Sequence, residues 1–217
     1  MTLPVTFHPG TYADIEPCLR LDHTCETDRV WQMTIQQRDP GAIAVSFKQE
    51  YLPRPVLLTH KPDKRRLHDD TDMGRLWVVA RKVEPALAPE PEITEEQIED
   101  PAEPLLAPPP PPRPPVIGYI VARYDETQEV VWVDDVTVAR EYRRQKVAAR
   151  LLDGVRQWAR EQGAHRLLVP IPTKHVPMMQ LVGGLGLTFC GYNDQYFLNH
   201  DIAVMFGLRL TRRGRVE

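Results

Sequence analysis

The sequence has few cysteines and lacks the patterns of a metal site or a membrane segment. Its three cysteines, Cys18, Cys25 and Cys190, are too few for a disulfide framework and do not have the spacing of metal ligands. No run approaches the roughly 20 apolar residues of a membrane helix, and no charged and apolar leader opens the chain. We therefore expect a reduced, cytoplasmic protein with no bound metal and no membrane partner.

A strongly basic region and a nucleic-acid-binding motif are missing as well. The 217 residues carry a formal net charge of -3, with 27 Lys and Arg against 30 Asp and Glu. The charge is uneven, because residues 84–115 hold eight acidic residues and one basic residue and leave the rest of the chain mildly basic. A mildly basic folded region suits the binding of an anionic small molecule and gives no support for a nucleic-acid partner.

Proline is abundant in that same acidic stretch. Glu84 to Pro115 holds twelve of the 22 prolines and predicts a disordered or polyproline II segment. Leu76–Val83 before it and Val116–Ala122 after it have the pattern of strands. We interpret the stretch as an insertion between two strands of a single domain, residues 1–217, and the alternative is a linker between domains. A passive spacer is the first interpretation of its role, and a ligand for an SH3-like partner is the second.

The most informative stretch is a strand, a basic turn and a helix. Val130–Val138 is rich in β-branched residues, as a buried strand is. From Ala148 onward apolar residues recur at helical spacing up to a stop at Gly163. The turn Glu141–Lys146 joins the two, so the first N–H groups of the helix and its dipole could hold a phosphate there. The alternative is an ordinary amphipathic helix with a solvated basic first turn.

Shorter patterns predict the remaining elements. Asp22–Asp28 reads as a loop, Leu52–Pro55 as a break in regular structure, and His60–Gly74 as a charged loop or a short helix. The other predicted elements are a strand at Val5–His8, a helix from Tyr12 to Leu21, a hairpin of Val30–Ile35 with Ala42–Phe47, a strand at Arg166–Ile171, a helix at Lys174–Leu185, and strands at Thr188–Tyr192 and Ile202–Leu208.

At its basic turn the chain resembles the GNAT superfamily of acyl-CoA-dependent N-acyltransferases. The cofactor loop of that family reads Arg/Gln-x-x-Gly-x-Gly/Ala, and the pattern falls here on Arg143-Arg144-Gln145-Lys146-Val147-Ala148. The first and last positions agree, while Lys146 stands in place of the central glycine. A lysine brings a Cβ that can hinder a phosphate, and also a charge that can contact one.

The resemblance implies an α/β fold with a mixed, mostly antiparallel sheet, a splayed parallel central strand pair and flanking helices. It implies acetyl-CoA or another acyl-CoA as co-substrate, a primary amine of a small molecule or a protein as acceptor, and a monomer or homodimer. One alternative function is a non-catalytic acyl-CoA-binding or interaction module that kept the fold, and another is a scaffold whose main feature is the proline-rich insertion. The cofactor-binding residues implied in this way are Val136, Thr137 and Val138 on the strand and Arg143, Arg144, Gln145, Lys146, Val147, Ala148 and Ala149 at the turn.

The proton transfers of such a reaction need a base and an acid. Asp134 and Asp135 are the candidate bases, and strand alternation should send one to each face of the sheet. The alternative is that both carboxylates serve nearby loops or helix ends. The family places its acid, a tyrosine, on the last helix, where this sequence has none, so Tyr192 or Tyr196 is the candidate acid, with a core or rim position as the alternative. His175 lies at a strand-to-helix junction, where polar residues often meet the cofactor, and the alternative is a solvated loop histidine.

Overall fold

A computed structural model describes residues 3–60, 62, 64–72, 75–83 and 113–211, and shows a seven-stranded sheet beside a two-stranded one. The strand order in the larger sheet is β1-β4-β5-β6-β7-β9-β8, and β6 and β7 are its parallel neighbours. This confirms the mixed, mostly antiparallel α/β fold. The strands are β1 Val5–Pro9, β2 Thr24–Asp39, β3 Ala42–Thr59, β4 Leu76–Lys82, β5 Val116–Asp125, β6 Val130–Val138, β7 Arg166–Pro172, β8 Thr188–Asn193 and β9 Ala203–Arg209.

In the part of the chain that the structure describes, four α-helices flank the larger sheet. They are α1 Tyr12–Leu19, α2 Lys64–Asp72, α3 Val147–Glu161 and α4 Val176–Gly184. Alternate residues of β5 enter two separate cores, because strand side chains point to opposite faces in turn. Tyr119 and Val121 pack with residues of α1 and α2, whereas Ile120 and Ala122 pack with the apolar side of α3. The sheet is therefore covered on both faces near β5.

The parallel pair β6 and β7 separates soon after it begins. Val130 pairs with Arg166, and the last pair along the strands joins Trp132 to Leu168. Within the described part of the chain, no strand pairs with β6 on its β7 side beyond Trp132. Six residues of β6 therefore border an open cleft.

The hairpin of β2 and β3 is much longer than expected. The predicted loop Asp22–Asp28 is wrong from Thr24 onward, and the predicted break at Leu52–Pro55 lies inside β3. The prolines are tolerated because the register jumps there, from the pair Thr27–Val56 to the pair Arg29–Tyr51, so that 52–55 have no cross-strand partner.

The hairpin closes the open end of the cleft. The main-chain N–H of Trp31 in β2 donates to the carbonyl of Thr173, just after β7, at 2.9 Å. The Trp31 ring lies 6.1 Å from the ring of Phe206, and Phe47 of β3 lies 5.6 Å from Phe189. An aromatic layer thus fixes the hairpin to β8 and β9.

The acidic, proline-rich stretch Glu84–Pro115 lies outside the described residues except for 113–115. The strands on either side of it, β4 and β5, are antiparallel neighbours. The chain therefore leaves and re-enters one sheet at this point, while the disorder of the stretch and the single domain stay predictions. Among the described helices, none has the length and apolar character needed to cross a membrane.

Candidate active site

The basic turn has the backbone shape that a glycine-containing loop adopts. Lys146 is the N-cap of α3 and has φ 64° and ψ 10°, and Arg144 has φ 60°. This left-handed region costs a residue with a Cβ roughly 1–2 kcal/mol. Among the described residues, no side chain caps the helix, so its first turn, Val147 to Ala149, keeps main-chain N–H groups for another acceptor. Lys146 thus occupies the conformation expected of the glycine that it replaces.

The basic side chains of the turn divide into structural and exposed ones. Arg143 donates from Nε to the carbonyl of Val138 at 2.9 Å, from one Nη to Thr24 at 2.7 Å and from the other to Asp22 at 2.6 Å. Its guanidinium therefore joins the end of β6 to the start of β2.

Arg144, Gln145 and Lys146 are exposed. Gln145 donates to the carbonyl of Glu141 at 2.8 Å. Within the described ranges, Arg144 and Lys146 have no carboxylate partner. Two positive side chains beside a helix N-terminus make a favourable place for an anion.

The predicted cofactor-binding residues Val136 to Val138 lie on the separated part of β6. Thr137 is buried there, with its hydroxyl 3.3 Å from Nδ1 of His23. The Nε2 of His23 lies 3.0 Å from the carbonyl of Cys18, which can only accept. His23 therefore carries a proton on Nε2.

A β-bulge interrupts β6 beside the cleft. Val121 of β5 pairs with Asp135, and the next residue, Ala122, pairs with Val133. Asp134 is the extra residue on β6, so the simple alternation of side chains fails at this position.

The bulge overturns the expectation that Asp134 and Asp135 lie on opposite faces. Asp134 accepts from Nε of Arg123 at 3.2 Å, and Asp135 accepts from the hydroxyl of Tyr119 at 2.6 Å. Positions 119 and 123 of β5 share a face, because they are four residues apart in one strand. Both carboxylates therefore contact the same face of the sheet.

The two carboxylates have different surroundings. Asp134 is 6% exposed and forms an ion pair with Arg123, whose guanidinium lies over the ring of Trp132. Asp135 is 17% exposed and lies 3.2 Å from Nε2 of His60. Burial by itself raises the pKa of Asp135, but hydrogen bonds from His60 and Tyr119 and the nearby charges of His60 and His23 outweigh it and hold the pKa below its usual range.

The Tyr119 phenol is neutral and donates its hydrogen bond to the Asp135 carboxylate. Burial, followed by the charge of Asp135, raises the pKa of the Tyr119 phenol above its ordinary value. The phenol therefore keeps its proton, and its hydrogen bond to Asp135 persists at neutral pH.

The predicted acid Tyr192 is not brought to the aspartates. It lies on β8, with β7 and β9 between that strand and β6, and its ring meets Phe47 edge-on at 5.7 Å. His175 is the N-cap of α4 and accepts from the N–H of Met178 at 3.2 Å. Burial, above all, lowers the pKa of His175, so its ring is neutral at neutral pH.

Sequence reasoning missed His23, His60 and Tyr119. The two histidines flank the hairpin, and the N–H of His60 donates to the carbonyl of His23 at 3.1 Å. The predicted hairpin could have indicated the two histidines, because extending its pairing to Thr24 and Thr59 sets residues 23 and 60 side by side. We name the group formed by His23, His60, Tyr119, Asp135 and Thr137 the histidine–aspartate cluster.

Comparisons with known proteins bear on the family and the fold of the chain. The model of the acetyltransferase (GNAT) family matches residues 71–181. No curated protein sequence matches the chain.

Solved structures show where the whole fold recurs. A nourseothricin acetyltransferase has a TM-score of 0.70 and 18% identity over 94% of this chain and 98% of its own. A Bacillus anthracis protein assigned as a streptothricin acetyltransferase, in complex with acetyl coenzyme A, has a TM-score of 0.63 and 13% identity. The match covers 96% of this chain and 100% of that one. The Escherichia coli ribosomal-protein-S18-alanine N-acetyltransferase has a TM-score of 0.58 and 9% identity, and the match covers 98% of this chain and 98% of that one. At such identities the likeness concerns the fold.

Proposed function

Because this chain belongs to the GNAT acetyltransferase family, we propose that it moves an acetyl group from acetyl-CoA to a primary amine of a small molecule or a protein. The observation that carries this proposal is the arrangement of two features side by side. One is the separated edge of β6, and the other is the uncapped N-terminus of α3 with Lys146 in the left-handed conformation.

The residues of the turn fit acetyl-CoA. The first N–H groups of α3, from Val147 to Ala149, would accept the pyrophosphate oxygens, and the exposed Arg144 and Lys146 would balance their charge. Arg143 is left out of this contact, because three carbonyls already occupy its guanidinium. It would instead fix the position of the loop.

The open edge of β6 would hold the pantetheine arm. Main-chain groups of residues 136–138 would pair with the amides of the arm as a strand pairs with its neighbour. Bound acetyl-CoA supplies an activated thioester carbonyl. N–H groups at this edge would stabilise the oxygen of that carbonyl when an amine attacks it.

The acceptor belongs to one of two classes. Both a nourseothricin acetyltransferase and a ribosomal-protein-S18-alanine N-acetyltransferase share the fold, so a small-molecule amine such as nourseothricin and an alanine of a protein are the acceptors to compare. We also propose a cytoplasmic location, which the free thiols of Cys18, Cys25 and Cys190 support.

Calorimetry with acetyl-CoA tests the binding step on the full chain. We expect saturable binding, and a loss of roughly threefold to tenfold in affinity in Arg144→Ala, since a charge-assisted contact is removed. Arg160→Ala is the matched control, because Arg160 is exposed at the other end of α3. No saturation at millimolar acetyl-CoA would contradict the proposal.

Mass spectrometry tests the transfer step. The protein and acetyl-CoA are incubated with nourseothricin or with a peptide that begins with alanine, and the gain of one acetyl group is measured. Acetyl-CoA binding without transfer to either amine would favour the non-catalytic alternative.

A further inference from the structure

We propose that His60 is the general base that takes the proton of the acceptor amine, and that Asp135 is the residue that positions it. This inference rests on the proposed N-acetyl transfer. It differs from the simplest expectation for the site, in which one of the two aspartates is itself the base.

His60 and Asp135 form a pair in which His60 is accessible to solvent and Asp135 is shielded from it. Nε2 of His60 lies 3.2 Å from Oδ2 of Asp135, with the His60 side chain 57% exposed and that of Asp135 17% exposed. His60 can therefore meet an acceptor from solvent, whereas Asp135 lies behind it. Both stand beside the cleft, because Asp135 is in the separated part of β6 and His60 ends the hairpin that spans it.

The position of Asp135 is fixed from a second side. The hydroxyl of Tyr119 donates to the same Oδ2 at 2.6 Å. Tyr119 is fully buried and belongs to the core cluster that also contains Cys18 of α1 and Trp77 of β4. The carboxylate is thus anchored in a rigid part of the sheet, which is what an orienting group requires.

The contact also sets which ring nitrogen of His60 is basic. An ionised carboxylate only accepts, so Nε2 of His60 donates to Asp135 and the neutral ring has its lone pair on Nδ1. The lowered pKa of Asp135, to which His60 contributes, keeps the carboxylate ionised. That same lowered pKa makes Asp135 a weak base, because little of it binds a proton near neutrality.

Several other groups face His60. Tyr119 of β5 donates to the same carboxylate oxygen of Asp135, and the ring centroid of His23, in the connection before β2, lies 6.3 Å from that of His60. His175 at the start of α4 and Arg143 at the basic turn belong to the same electrostatic neighbourhood, because His60 and Arg143 both act on the pKa of His175.

The acceptor ammonium gives one proton to Nδ1 of His60, and the resulting amine lone pair forms a bond to the thioester carbonyl carbon. The carbon–sulfur bond then breaks, and the thiolate takes the second proton lost by the nitrogen. His60 returns its proton to water. The products are the acetamide, CoA thiol and one proton in solution.

Carbon-13 NMR tests the contact without any acceptor. The carboxyl carbon of Asp135, assigned by its loss in Asp135→Asn, is titrated in the wild-type protein and in His60→Gln. The titration midpoint of Asp135 should rise in His60→Gln, because the contacts of His60 lower the pKa of Asp135. His165→Gln is the matched control, since His165 is also half exposed and lies 3.9 Å from a carboxylate of Glu129. An unchanged midpoint in His60→Gln would overturn the proposal.

The pH dependence of transfer tests the catalytic role. With nourseothricin or the alanine peptide, His60→Gln should lower kcat about 100-fold near neutral pH, the lower range for general-base catalysis. The loss of kcat should shrink at higher pH, where the acceptor amine is neutral without a base. The affinity of His60→Gln for acetyl-CoA should equal that of the wild type. The control His165→Gln should keep the wild-type rate. A wild-type rate and pH profile in His60→Gln would overturn the assignment, whereas a wild-type protein that transfers nothing would sink the proposed function and the base with it.

Discussion

The guanidinium of Arg143 donates to the main-chain carbonyl of Thr24 across 2.7 Å, which joins the basic turn after β6 to the first residue of β2. The first residue of the family loop is thus part of the scaffold. The same side chain also binds the carbonyls of Val138 and Asp22. A single arginine therefore fixes one end of the hairpin that closes the cleft.

Arg143→Ala should destabilise the protein by about 2–3 kcal/mol, because three partly buried carbonyls lose a charged donor. Urea unfolding followed by circular dichroism measures the change. Arg144→Ala, at the exposed neighbour, should stay within about 0.5 kcal/mol of the wild type. Equal stability of the two variants would show that Arg143 does not tie the turn to β2.

Lys146→Gly should stabilise the fold by roughly 0.5–1 kcal/mol. Glycine avoids the cost of the left-handed conformation at φ 64°, although it also gains entropy in the unfolded chain. Gln157→Gly in the middle of α3 should lower stability by about 0.5–1 kcal/mol, since glycine is unfavourable inside a helix. Thermal unfolding of both variants should therefore move in opposite directions, and a shared loss would contradict a strained Lys146.

The contribution of Asp135 to the free energy of unfolding should depend on pH. Its pKa is lowered in the folded protein from an ordinary 3.8, so the contribution is present above that value and is lost as the pH falls through the lowered folded pKa. The difference in unfolding free energy between wild type and Asp135→Asn should be constant near neutral pH and shrink in acid. Urea titrations across a pH series measure it; a difference that grows in acid would reverse the sign of the shift.

The thiols should react in an order set by burial. Burial raises the pKa of Cys18 to about 12, while Cys190 is exposed on β8. Because the thiolate is the reactive form, a thiol reagent should label Cys190 in the native protein and Cys18 only after unfolding. Peptide mapping by mass spectrometry identifies the labelled residue, and Cys190→Ser should remove the fast phase.

Much of the scaffold was readable from the sequence. The β-branched run at Val130–Val138 and the helical spacing after Ala148 predicted β6 and α3 with ends within a residue or two. These patterns are reliable because burial of one face imposes its own period on the apolar residues. The family pattern at residues 143–148 added the mixed, mostly antiparallel sheet with its parallel strand pair, and the co-substrate.

The tertiary structure decided the details of the site. Asp135 and His60 are 75 residues apart, and a long hairpin with an irregular register brings them together. The bulge at Asp134 and the left-handed Lys146 depend on neighbouring strands and on the start of a helix. For β6 and α3, local sequence determined which residues are buried and in what element, because side-chain burial is periodic. Which polar groups meet was settled by long-range pairing, which has no local period.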